Sequence, residues 1–158
     1  LSFNIHLAIE QLGFEAPYPI QRQAIPQILK GGDVLGISPT GSGKTLAYVL
    51  PILSMMSDQM EGPKNRNICT LVLVPTRELC IQVQEVIFSV SKHLVPPIKS
   101  MAVHGGVSIN PQMKGMYGVD VLVATPGRLI ELIESKAVNL SRLELFIFCV
   151  GLYHCFTI

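Results

Sequence analysis

The chain has 158 residues, 49% of them hydrophobic and 15% charged, and its 12 lysines and arginines against 11 aspartates and glutamates leave a formal net charge of +1. A folded chain of that length buries roughly 70% of the surface its unfolded form exposes, so one domain with its own core is expected, and wholesale disorder and a disulfide scaffold are excluded. Near-neutral charge gives no global attraction to nucleic acid, so such a partner has to be argued from local sites.

Along the chain, Ile5, Ala8, Ile9 and Leu12 follow helical spacing, with Asn4 placed to cap the first turn and Gly13 to end the helix. Gly13 to Gln21, with Pro17 and Pro19, reads as a loop. A short helix is predicted over Gln21 to Lys30, stopped by Gly31-Gly32. Strand-forming runs then recur at Val34 to Ile37, Thr70 to Val74, Ser100 to Val103 and Val119 to Ala124. Between them the best helical patterns are Lys44 to Ser57, Glu78 to His93 and Gly127 to Glu134, with Pro51 expected to kink or shorten the first. Gln59 to Asn67 is the most polar stretch and reads as an exposed loop. Strands alternating with helices predict an α/β domain, a mainly parallel sheet with helices on both faces and ligands at the carboxyl ends of the strands.

The four cysteines, Cys69, Cys80, Cys149 and Cys155, form no CxxC pair, and no secretory leader pattern opens the sequence. A reducing, cytoplasmic or nuclear compartment is expected. Leu145 to Ile158 carries no formal charge but falls short of the roughly 20 residues a spanning helix needs, so no membrane partner is expected.

The sharpest local signal is Ser38-Pro39-Thr40-Gly41-Ser42-Gly43-Lys44-Thr45, between a predicted strand and a predicted helix. Gly41 and Gly43 let backbone N–H groups curl around phosphate oxygens, Lys44 supplies a point charge, and the Thr45 hydroxyl is the kind of ligand Mg²⁺ takes. The helix start adds its positive end. The general pattern opens with Gly where this chain has Ser38. Such a loop does not by itself say which nucleotide is bound or what work is done.

Around it, in order, stand Gly13-Phe14-Glu15-Ala16-Pro17-Tyr18-Pro19-Ile20-Gln21, then Pro75-Thr76-Arg77-Glu78-Leu79, the doublet Gly105-Gly106, and Thr125-Pro126-Gly127-Arg128. This set closely resembles the first RecA-like domain of DEAD-box ATP-dependent RNA helicases, and the resemblance covers residues 1–145. It implies a RecA-like P-loop fold and ATP with Mg²⁺ as cofactors. The nucleotide contacts implied are Phe14, Pro19, Gln21, Thr40, Gly41, Ser42, Gly43, Lys44 and Thr45, with Gln21 selecting adenine and Thr45 on the metal side. Read alone, Gln21 fits equally a helix-start glutamine bonding nearby backbone. Tyr18 stands where the family commonly has Thr, and the family's adenine-stacking aromatic residue would fall before Leu1.

The resemblance further implies that Pro75, Thr76, Arg77, Gly105, Gly106, Thr125, Pro126, Gly127 and Arg128 grip the sugar-phosphate backbone of RNA without reading sequence. Hydroxyls, guanidinium groups and free N–H groups at strand ends and helix starts suit that task. Taken alone, Arg77 and Arg128 fit salt bridges with Glu78 or Glu131 better. An aromatic content of 6% with no Trp disfavours a base-stacking platform. His104 is expected to be satisfied locally, and Met55, Met56 and Met60 to be packing or loop residues.

The pattern then breaks. The acidic box of the family aligns with Cys149, Val150, Gly151 and Leu152, and no Asp or Glu follows Glu144. A thiol and an aliphatic group neither hold a hard cation nor take a proton from water. Residues 146–158 therefore read as a divergent apolar tail, beginning as a buried strand. The second RecA-like domain that the resemblance implies is not among these residues. A metal site at Cys149, His154 and Cys155 is disfavoured by irregular spacing.

Two functions are expected to compete. One is an ATP-binding and RNA-backbone-binding helicase domain, monomeric and not catalytically competent alone. The other is a non-catalytic truncated isoform, a weak module for RNA or a helicase partner. A small-molecule kinase or GTPase is disfavoured, since no Asn-Lys-x-Asp motif occurs.

Overall fold

β-branched and aliphatic runs separated by amphipathic segments assemble here into a six-stranded sheet in the order β1-β6-β5-β2-β4-β3. The computed structural model describes residues 1–58, 68–150 and 155–157, the last three and Val150 by backbone alone. Two helices, α1 (Phe3–Gln11) and α2 (Pro19–Leu29), precede β1 (Leu35–Gly36). Then come α3 (Lys44–Asp58), β2 (Thr70–Leu73), α4 (Arg77–Ser91), β3 (Ser100–Val103), α5 (Ile109–Gly115), β4 (Val121–Ala124), α6 (Pro126–Glu134), β5 (Leu145–Val150) and β6 (Cys155–Thr157).

β5, β2, β4 and β3 are parallel, in registers that set Leu73 opposite Phe148 and Ala124, and Ala124 opposite Val103. The carboxyl ends of β2, β4 and β3 therefore finish in line, and β5 runs two residues further. β6 lies between β1 and β5 and is antiparallel to both. The sheet is thus mainly parallel, as expected, with one reversed strand joining the phosphate-loop strand to the rest.

Helices cover both faces. On one, α1 to α4 bury Ile5, Ile28, Leu53 and Val83 against Val72, Val123 and Ile147. On the other, α5 and α6 set Met113, Leu129 and Leu132 against Leu71, Val103 and Leu122. β5 alternates accordingly: Ile147 and Cys149 are buried beneath α3, while Phe146 and Phe148 are 43% and 41% exposed on the opposite face, rings stacked at 6.4 Å.

Several boundaries move for physical reasons. α1 starts after Ser2, whose N–H donates to Ser54 Oγ at 2.6 Å, so Asn4 lies inside the helix and does not cap it. α2 begins at Pro19, which needs no N–H at a first helical position. α3 runs unbroken through Pro51. A proline inside a helix costs about 3 kcal/mol. Tyr48, Val49, Leu50, Ile52, Leu53 and Met56 are all buried on this helix, and each full burial contributes roughly 1.5–3 kcal/mol, so packing wins. α5 was hidden by its length of 7 residues and its Asn110-Pro111, which reads as a turn. Gln59 to Asn67, Gly151, Leu152 and His154, the subjects of expectations above, lie outside the described residues.

Candidate nucleotide site and nucleic-acid interface

The phosphate loop leaves β1 at Ile37 and enters α3 at Lys44. Gly41 and Gly43 both take left-handed backbone, φ 77° and 83°, a conformation that glycine adopts without steric cost. A Cβ on Gly43 would fall 2.5 Å from Gln21 Nε2 and 2.9 Å from Tyr18 Cδ2, so only glycine fits there. Ser42 Oγ donates to the Pro39 carbonyl at 2.7 Å and shares a hydrogen bond with Ser38 Oγ. The Lys44 ammonium donates to the Ser38 and Pro39 carbonyls, with Ser42 Oγ at 3.4 Å. Burial lowers the Lys44 pKa from its ordinary value. A buried cation held by neutral carbonyl and hydroxyl oxygens is poised for an anion, because phosphate oxygens would be stronger partners.

Gln21 is buried and uses both ends of its carboxamide. Oε1 accepts from the Tyr18 N–H at 2.9 Å, closing the capping box of α2, and Nε2 donates to the Gly43 carbonyl at 3.0 Å. Both bonds go to main-chain atoms, as the helix-start reading expects, and the side chain caps its own helix and ties it to the phosphate loop. Beside it, Phe14, Tyr18, Gln21, Ile25 and Leu46 line an apolar cavity of about 230 Å³. Pro19 stays exposed and serves to start α2.

A larger cavity, about 390 Å³, opens from Thr40, Gly41, Gly43, Lys44 and Thr45 toward Leu79, Gln82 and Val86 of α4. Its floor carries Tyr48 and Cys149, the thiol donating to the Tyr48 hydroxyl at 3.9 Å. Burial raises the Tyr48 pKa well above its ordinary value, Cys149 adds to the rise, and a Thr45 hydrogen bond opposes it. Burial pushes the Cys149 thiol up to about 11, so it is protonated at neutral pH and is no ligand for a hard cation. No carboxylate residue lines this cavity among the described residues; the lining residues whose side chains carry oxygen are Thr40, Thr45, Tyr48 and Gln82. These groups fit a nucleotide phosphate; with a hydroxyl at Thr45 and no carboxylate, they would hold Mg²⁺ only together with the nucleotide's own phosphate oxygens.

On the other half of the sheet, β2, β4 and β3 end side by side, just before Val74, Thr125 and His104. Val74 N–H donates to the Ala124 carbonyl at 2.9 Å and Thr125 N–H to the Val103 carbonyl at 3.0 Å. Pro75, Thr76 and Arg77 are exposed, and Thr76 Oγ1 caps α4 by accepting from the Leu79 N–H at 3.2 Å. Gly105 and Gly106 are exposed as well, Gly106 with φ 79°, and a Cβ on it would stand 3.5 Å from Arg77 Nη1. Pro126 and Gly127 present the exposed start of α6, where the Thr125 side chain makes no capping bond. Arg128 departs from this pattern. It is 7% exposed, its Nε donates to Glu131 Oε2 at 2.8 Å, and its Nη2 donates to the Val107 carbonyl at 2.8 Å.

A family model described as DEAD/DEAH box helicase matches residues 18–148. The chain belongs to the DEAD/DEAH box helicase family. It is 45% identical over 140 residues to DEAD-box ATP-dependent RNA helicase 30 of Arabidopsis thaliana, a match covering 88% of this chain and 23% of that protein. It is 44% identical over 135 residues to ATP-dependent RNA helicase dbp2 of Schizosaccharomyces pombe, covering 85% and 24%. With the crystal structure of the yeast DEAD-box splicing factor Prp28 it shares a TM-score of 0.86 at 35% identity, over 94% of this chain and 36% of that one. The chain thus spans about a quarter of the length of the curated relatives it matches. Its fold is RecA-like α/β, and no described helix is long and apolar enough to cross a membrane.

Within this DEAD/DEAH box domain, sequence reasoning missed Tyr48, Gln82 and Gln112. Tyr48 lies one helical turn after Thr45, a spacing that could have flagged it. Gln82 carries no local signal. Gln112 sits among Ile109, Met113 and Met116, a polar side chain on a buried stripe, and that anomaly was legible.

Proposed function

We propose that this chain is an ATP-binding and RNA-backbone-binding domain that holds nucleotide without turning it over on its own. The observation that carries the reading is the Gln21 carboxamide bonded to Gly43, which couples the apolar adenine-sized cavity to the phosphate loop. Thr40, Gly41, Ser42 and Gly43 would cradle the triphosphate, Lys44 would trade its carbonyl partners for phosphate oxygens, and Phe14 would flank the base. Mg²⁺ would arrive on the nucleotide and meet Thr45. With Cys149 where the cavity floor needs a carboxylate, no described group takes the proton from an attacking water.

The RNA face would be Pro75, Thr76, Arg77, Gly105, Gly106, Thr125, Pro126 and Gly127, whose amides, hydroxyls and one exposed guanidinium suit phosphates rather than bases. Binding is therefore expected to be indifferent to sequence. Fluorescence anisotropy with labelled single-stranded oligoribonucleotides of unrelated sequence tests this: affinities should agree within a few fold, fall with salt, and weaken with Arg77→Ala. Phosphate release from ATP should stay at background with or without RNA. Multiple turnovers per chain would contradict the reading.

A further inference from the structure

Between β3 and α5 the backbone of Gly105 and Gly106 is exposed, yet both neighbours of this doublet are held by buried side chains. At the entry, Gln112 is 7% exposed and grips the His104 main chain twice: Oε1 accepts from its N–H at 3.2 Å and Nε2 donates to its carbonyl at 3.1 Å. At the exit, Arg128 Nη2 donates to the Val107 carbonyl at 2.8 Å, while Nε is anchored by Glu131 at 2.8 Å. The remaining donor, Arg128 Nη1, is buried and has no partner among the described residues. A guanidinium in that position reaches a phosphate in solvent only by leaving two charge-assisted bonds and its burial together.

We propose that Gln112 and Arg128 are positioning residues that clamp the Gly105–Gly106 backbone from its two ends, and that Arg128 acts on RNA through this loop rather than by touching a phosphate. Three features agree. Both clamps bond main-chain atoms, so they fix the course of the loop whatever side chains it carries. The clamps come from two different elements, α5 and α6, which pins the loop to the start of α6 and hence to Thr125 and Gly127. Arg77, by contrast, is exposed and free to meet a phosphate directly. Glu131, 57% exposed, is then part of the clamp, an anion kept close to an RNA face because it holds the arginine in place.

The inference rests on the RNA reading above, and two measurements separate the failures. Hydrogen exchange on the free protein reads the clamp alone: the amides of 105–107 should exchange faster in Gln112→Ala and in Arg128→Gln. RNA affinity as a function of salt reads the role. Each phosphate neutralised on a single strand adds roughly 0.7 to the salt slope. Arg77→Ala should lower the slope by about that amount. Arg128→Gln should lower affinity by about tenfold at unchanged slope, and Glu131→Gln should weaken binding although it removes a negative charge. Where Arg128→Gln does not fold, Arg128→Lys, which keeps the charge and loses the two-pronged geometry, supplies the exchange and affinity readings, and Glu131→Gln supplies the charge reading. A slope lowered by Arg128→Gln as much as by Arg77→Ala, tighter binding by Glu131→Gln, or unchanged exchange at 105–107 would overturn the proposal. Faster exchange together with no RNA binding by the wild-type chain would keep the clamp and sink the RNA reading.

Discussion

Gln21 Nε2 donates to the Gly43 carbonyl across 3.0 Å, joining residues 22 positions apart. Because Oε1 of the same carboxamide takes the Tyr18 N–H, the start of α2 and the turn of the phosphate loop are held as one unit. Gln21→Ala removes both bonds, and loss of the cap costs about 1 kcal/mol of stability. Nucleotide affinity should fall about tenfold. Gln21→Glu keeps the acceptor for Tyr18 but sets a carboxylate against a carbonyl, so it should spare stability more than it spares ATP binding. Thermal melts paired with ATP titration check the split.

Gly43 and Gly41 separate two causes of glycine dependence. Gly43→Ala meets Gln21 and Tyr18 within 3 Å and adds left-handed strain. It should abolish ATP binding and destabilise by more than the 1–3 kcal/mol of strain alone. Gly41→Ala meets nothing within 4 Å, so only the backbone term remains, about 1–2 kcal/mol. Equal effects of the two variants on affinity would contradict this account of the loop.

β5 gives a register test. Ile147 is fully buried between β2 and the helices, so Ile147→Ala should cost about 2–5 kcal/mol. Phe148, its neighbour, faces the other way at 41% exposure, and Phe148→Ser should cost about 1 kcal/mol or less. Denaturant midpoints that reversed this order would mean a strand shifted by one residue.

Stability should also fall in alkali. Burial raises the Cys80 and Cys149 thiols from an ordinary 9.0 to about 11, so the folded chain holds these protons more tightly than the unfolded one. The unfolded state loses them first, and stability present below pH 9 is progressively lost between pH 9 and 11, on the order of a few kcal/mol in all. Tyr48, raised well above its ordinary value, extends the fall to higher pH. Melting temperatures followed from pH 7 to 11 should be flat and then drop; Cys149→Ser should make the drop shallower.

Much of this fold was legible before any coordinate. Gly41, Gly43 and Lys44 announce their task because phosphate binding demands those residue types at that spacing, and the Ser100–Val103 strand follows from its own bulk and position. What the sequence hid depends on tertiary contacts. Pro51 reads as a breaker, and only the burial of α3 overrides it. Arg128 and Arg77 look alike in their motifs; one is buried and bonded to Val107 and Glu131, partners 21 and 3 residues away, and the other is exposed. Gln21 left two roles open because a carboxamide can serve both, and the 3.0 Å bond to Gly43 is a long-range fact. The reversed strand β6 is set by pairing with β1, over 100 residues earlier, which no local pattern encodes.

Calorimetry with magnesium-loaded ATP tests the central claim most directly. A folded wild-type sample should bind one nucleotide per chain with measurable heat, and Lys44→Ala, at an unchanged circular-dichroism spectrum, should bind at least about tenfold more weakly. Absence of heat from the folded wild type, or equal affinity in both proteins, would contradict it.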